Sequence, residues 1–219
     1  MHLSDTWASI GHQCIPSAWI GKNVEQEAYN YAKDTLQRMI DAGVKPDMVQ
    51  CGNENNSRVS GQTISNRNAF VGILNACNRA VRELAPDVPL VAQHGKPRPA
   101  EGFAGWVDSL LGASPTLDVD AVCGSTYGTT NNGGDWREMF GYVINRYNKP
   151  VLSCEYTDNR RDLINPIMRE FPNGMGWGTF LWEPVVYDRP IFDRNNAARR
   201  FTPNARLAEY IRVAQASGI

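Results

Sequence analysis

Apolar positions along this chain fall into two alternating patterns. Val24, Ala28, Tyr31, Ala32, Leu36, Met39 and Ile40 recur at three- and four-residue steps, with Asn23 placed to cap the start and Gly43 to end the run. That spacing predicts an amphipathic helix. Phe70, Ile73, Leu74, Cys77, Val81 and Leu84 repeat it within residues 62–84, and Pro86 stops it. Shorter helices are predicted over 100–111, 136–147 and 163–171, and a closing helix over 204–216. Between them lie short apolar runs: 46–56 (PDMVQCGNENN), 88–94 (VPLVAQH), 117–127 (LDVDAVCGSTY), 149–158 (KPVLSCEYTD) and 176–182 (GWGTFLW). Each reads as a strand buried on both faces and ending in a polar loop. Residues 2–7 read as the end of one more strand, followed by a loop through Gly11, Pro16 and Gly21. Six strands alternating with helices imply an all-parallel α/β architecture. A closed barrel of this kind has eight strands.

Composition narrows the partners. The 219 residues, 42% of them hydrophobic, can bury one sizeable core and are expected to form a single domain over 1–219. A formal charge of -1 argues against nucleic acid or a membrane held by bulk electrostatics and favours neutral ligands. No run of apolar residues is long enough to span a bilayer, and Met1 leads into HLSDTW without the basic and apolar regions of an export signal. Cys14, Cys51, Cys77, Cys123 and Cys154 are odd in number and scattered. They read as small core residues rather than a disulfide or zinc framework. His2 and His12 have no cluster of cysteines or carboxylates at ligand spacing, so no metal site is expected.

The chemistry lies at two strand ends. Glu54 follows the run Met48, Val49, Cys51, and Glu155 closes the 149–158 run in the equivalent place. Two carboxylates at the mouth of a parallel barrel suit glycoside hydrolysis, in which one carboxyl donates a proton and the other attacks. Glu183 is the rival carboxylate, also ending a strand, and its Trp-Glu-Pro setting equally suits a structural hydrogen-bond partner. His94 closes the 88–94 strand and is placed to touch substrate. A cysteine triad is disfavoured because simple alternation points Cys154 away from Glu155. No glycine-rich phosphate loop follows any strand.

At HLSDTWASIGHQCIPSAW, MVQCGNENN, KPVLSCEYT and GWGTFLWEP the chain resembles the endo-β-1,4-galactanases of glycoside hydrolase family 53, within clan A of barrel glycosidases. The resemblance implies a (β/α)8 TIM barrel, here incomplete at the N-terminus with six of eight strand–helix units, and a retaining hydrolase of galactan side chains in plant polysaccharide. It makes Glu54 the acid/base and Glu155 the nucleophile. It places Asn53 on the hydroxyl next to the anomeric carbon, Tyr127 beside the nucleophile, Trp182 under a sugar ring, and Asp5 and Trp7 along the cleft. No cofactor is implied beyond calcium, for which no ligands can be assigned. Secretion or export to the periplasm is implied if the full-length protein carries a signal peptide.

The resemblance starts at the family's third strand–helix unit. The first two, including an arginine-bearing second strand near the nucleophile, have no counterpart, and residues 155–176 are too short for the family's long substrate-binding loop. The chain is therefore expected to be part of a longer reading frame, or else a short form that associates as a homo-oligomer through exposed barrel edges. Two other functions stay open: another clan A specificity, such as a β-galactosidase or mannanase, and a catalytically inactive carbohydrate-binding barrel fragment.

Overall fold

The first predicted helix forms as α1, Val24–Asp41. The Asn23 side chain accepts from the Gln26 amide at 3.1 Å, and Gly43 just beyond takes φ 75°, a backbone that glycine adopts without steric cost. The computed structural model describes residues 1–185 and 189–216. After α1 come β1 (Val49–Gln50), a hairpin of β2 (Arg58–Val59) and β3 (Gln62–Thr63), α2 (Arg67–Leu84), β4 (Leu90–His94) and α3 (Phe103–Leu111). Then follow β5 (Ala121–Ser125), α4 (Gly134–Tyr147), β6 (Val151–Tyr156), α5 (Arg161–Glu170) and β7 (Gly176–Leu181). A second hairpin, β8 (Phe192–Asn195) and β9 (Arg200–Pro203), precedes α6 (Ala205–Ala216).

Five strands form one parallel sheet in the order β1-β4-β5-β6-β7, each successive pair joined through a helix. Chain order equals spatial order, so the sheet is an incomplete (β/α)8 barrel. Its outward side chains, among them Leu90, Val122 and Val151, pack with Phe70, Phe140 and Ile164 of the helices to make the main core. Its inward side chains, Val91, Ala121, Cys123 and Leu152, form a smaller cluster with Met48 and Cys154. Both faces are apolar, which is why the strands read as continuous runs.

The sixth strand, expected over residues 2–7, is reduced to one residue's pairing. The Met1 amine donates to Gln50 O at 2.6 Å and Gly52 N donates to Met1 O at 2.8 Å, after which the chain turns into a loop. Buried Leu3 anchors that turn, with its carbonyl accepting from Ser60 Oγ at 2.6 Å. The second helix starts at Arg67 rather than 62, because Gln62 and Thr63 pair with β2. The third starts at Phe103, since Gly102 at φ 71° separates it from a single turn at Pro99–Glu101.

The cysteines correct the sequence reading. Cys51 pairs with Cys77, joining β1 to α2, and Cys123 pairs with Cys154, joining β5 to β6, with Cα separations of 6.1 and 5.7 Å. Only Cys14 is free, and it is exposed. Spacing along the chain gave no sign of this because the pairing follows from register: Cys123 lies opposite Leu152, two residues from Cys154.

Candidate active site

Glu54 reaches the barrel mouth through a tight turn. Gly52 takes φ 79°, and a Cβ there would meet Asn55 Oδ1 at 2.0 Å, so only glycine fits. Glu54 itself is held at φ 46°, a strained conformation for a non-glycine residue that is often found at functional sites. The residue is 9% exposed, and its carboxylate accepts from Ser125 Oγ at 2.7 Å and from Ile10 N at 3.4 Å.

Glu155 reaches the same mouth by a break in strand register. Between β5 and β6 the pairing runs Gly124 with Ser153 and then Ser125 with Glu155, so β6 carries an extra residue. Such a bulge re-aims the side chain that follows it. Simple alternation therefore fails here: Cys154 faces the barrel interior through its disulfide to Cys123, and Glu155 also turns inward. Its Oε1 accepts from Gln93 Nε2 at 2.9 Å, and its Oε2 accepts a short hydrogen bond from the Tyr127 hydroxyl.

The other candidates divide. Trp182, just beyond β7, stands edge-on to both Tyr127 and Trp7 with ring centroids 6.4 Å apart in each pair, so these aromatics form one group beside Glu155. Trp7 is 70% exposed. Asn53 turns its side-chain amide to Ala8 O at 2.6 Å, while its carbonyl accepts from Gln13 Nε2 at 2.6 Å. Asp5 accepts from Ser17 N at 2.6 Å and braces the N-terminal loop. Glu183 follows Trp182 with φ 47° and is half-buried. His94 corrects the sequence reading: it is 1% exposed, packed against Phe103 and Trp106 on the helical side of the sheet, and accepts from Lys96 N through Nδ1. Burial lowers its pKa to about 4, so it is neutral at pH 7.

Sequence reasoning passed over Gln93, Ser125, Lys96 and Gln13. Gln93 donates to Ser125 Oγ at 3.0 Å as well as to Glu155, and accepts from Glu54 N at 3.2 Å. Gln13 is buried and pins the Ser9 and Asn53 carbonyls together. The available signal was a polar residue near the C-terminal end of an otherwise apolar strand, as in VAQH and CGST. A cleft of about 340 Å³ opens here, lined by Glu54, Ser125, Tyr127, Lys96, Arg98 and Ile10. A larger cavity of about 480 Å³ lies on the helical side between α5, β7 and α6. Among the described residues no group of three or more His, Cys, Asp or Glu side chains is placed to hold a metal ion, and no helix is long and apolar enough to cross a membrane.

Burial is the main cause that raises the Glu54 pKa; the Glu155 charge adds to it, and the Ser125 hydrogen bond opposes it. A carboxyl whose folded pKa is raised adds stability only below its unfolded value near 4.3, and loses it as pH climbs through the folded value. Glu54→Gln is therefore expected to raise Tm at pH 7, with the gain vanishing below about pH 4. A Tm change that is the same at both pH values would show that the ionised carboxylate is held there without cost.

The family profile of Glycosyl hydrolase family 53 matches residues 1–163. The chain belongs to this family. Over 170 residues it is 31% identical to the endo-β-1,4-galactanase of Bacillus subtilis, a match covering 74% of this chain and 38% of the relative. The family 53 catalytic domain of Ignisphaera aggregans superposes with TM-score 0.60 at 28% identity, over 71% of this chain and 44% of that one. A fungal β-1,4-galactanase structure superposes with TM-score 0.81 over 96% of this chain and 76% of that one. At 19% identity that match speaks to the fold alone, and it agrees with an incomplete TIM barrel. The family 53 chain described here spans less than half of the Bacillus and Ignisphaera relatives. The family that its sequence places it in is one of glycoside hydrolases.

Proposed function

We propose that this chain carries the catalytic pair of a retaining endo-β-1,4-galactanase acting by double displacement. The observation that carries this reading is the joint geometry of two glutamates at one barrel mouth: a buried Glu54 whose proton is favoured by burial, and a Glu155 held by the Tyr127 hydroxyl and the Gln93 amide. Donors on both Glu155 oxygens hold its carboxylate in one orientation at the mouth. Glu155 attacks the anomeric carbon while Glu54 gives its proton to the departing glycosidic oxygen, leaving a covalent glycosyl-enzyme. Glu54, now ionised, takes a proton from water, which displaces Glu155 and restores the starting configuration. Trp182, with Trp7 and Tyr127 beside it, offers an apolar surface against which a sugar ring can stack.

Galactan as the substrate is supported by the names of two relatives, an endo-β-1,4-galactanase and an arabinogalactan endo-β-1,4-galactanase. A neutral polysaccharide also suits a chain of net charge -1. On the same reading, copies of the chain would associate through the β1 and β7 edges, the latter carrying exposed Trp177 and Phe180. Assays on galactan, mannan and aryl β-galactosides are expected to give internal cleavage of galactan and little of mannan. Preference for mannan would move the chain to another clan A specificity, and galactan binding without turnover would make it a binding module.

A further inference from the structure

Gln93 is 2% exposed and lies between the two glutamates. Its Oε1 accepts from Gln50 Nε2 at 2.5 Å and from Glu54 N at 3.2 Å. A backbone N–H can only donate, so the Glu54 amide fixes which end of the Gln93 side chain is oxygen. The NH₂ end must then face Ser125 Oγ at 3.0 Å and Glu155 Oε1 at 2.9 Å, which uses both of its hydrogens. Ser125 has one hydrogen of its own. With a lone pair taken by Gln93, that hydrogen goes to Glu54 Oε1 at 2.7 Å. The two carboxylates thus stand at the ends of one directed chain of hydrogen bonds.

We propose that Gln93 is a positioning residue for both glutamates, holding Glu155 directly and Glu54 through Ser125. This rests on Glu54 and Glu155 being the acid/base and the nucleophile. Two consequences follow from the direction of the bonds. The amide donor on Glu155 Oε1 fixes the plane of the attacking carboxylate. The hydroxyl donor occupies Glu54 Oε1 at 2.7 Å, whereas Oε2 accepts from Ile10 N at 3.4 Å, so the less tightly held Oε2 is the oxygen that carries the acid's proton. One apolar replacement at Gln93 removes the Glu155 donor and frees Ser125 to turn, so the division of labour between two chemically identical side chains depends on a residue that is itself almost fully buried. Among the described residues, the titratable groups that face this pair are His2 from the N-terminal segment and Lys96 after β4, with Arg98 lining the same cleft. All three stay in place in the variants below.

The test is a carboxyl-carbon NMR titration of protein labelled at the glutamate side-chain carboxyls, with Glu54 and Glu155 assigned through Glu54→Gln and Glu155→Gln. Gln93→Met keeps the length and removes the donor, and the Glu155 midpoint is expected to rise by about one pH unit. Ser125→Ala removes the donor to Glu54 and is expected to raise the Glu54 midpoint while leaving that of Glu155 where it was. A filler of space would leave both midpoints unmoved, and unmoved midpoints in folded variants overturn the proposal. Should Gln93→Met fail to fold, Ser125→Ala decides: no change in Glu54 sinks it. The titration needs no turnover, so an inactive protein with these shifts would retire the galactanase reading alone, and an active protein without them would retire the positioning role alone.

Discussion

Glu155→Ala is expected to lower turnover by on the order of 10⁴-fold or more, because it deletes the atom that forms the covalent bond to the sugar. The surrounding groups survive the change. Gln93 and Ser125 keep their mutual hydrogen bond, Tyr127 keeps its ring contact with Trp182, and a cavity the size of the missing carboxylate opens against the anomeric carbon. Azide is small and anionic enough to enter that cavity. It should restore turnover of activated aryl glycosides and give a glycosyl azide of inverted configuration, since only one displacement then occurs. Retention of more than a small fraction of the original rate, with no azide effect, would remove Glu155 from the nucleophile's role and make Glu183 the next candidate.

Glu54→Ala is expected to divide substrates by their leaving groups. Galactan departs as a poorly stabilised alkoxide that needs a proton in the transition state, so its hydrolysis should fall about 10²–10⁴-fold. A dinitrophenyl galactoside departs without a proton, so its first step should survive and its glycosyl-enzyme accumulate, because water then lacks its general base. The burial that raises the Glu54 pKa favours the protonated form that this step uses. Equal losses on both substrates would mean that Glu54 acts on binding or structure and not as the acid.

The two glutamates were legible in the sequence because strands buried on both faces announce their C-terminal ends by the first run of polar residues. The same property hid His94. It and Gln93 are neighbours at the end of one apolar strand, only one can face the barrel interior, and a pattern without alternation does not say which. The structure puts Gln93 inside and His94 among the aromatic rings of α3. Glu155 was located correctly for an incomplete reason, since the register break in β6, not strand parity, turns it inward. Gln93 bonds Glu155 from 62 positions away, and no local pattern marks such a pairing. The same limit applies to the two disulfides, which depend on which inward positions share a level of the sheet. The hairpins β2–β3 and β8–β9 escaped notice because strands of two and four residues carry too little periodicity to read.

The central claim is that Glu155 forms a covalent bond to the sugar during turnover. A 2-deoxy-2-fluoro-β-galactoside with a good leaving group tests it most directly, because the fluorine slows both displacements while the leaving group restores the first, so the covalent intermediate accumulates. Mass spectrometry of the digested protein is expected to find a single fluorosugar on the peptide containing Glu155, released on adding an acceptor alcohol. A label on Glu183 or Glu54 would contradict the account, as would steady hydrolysis of the probe with no labelled peptide.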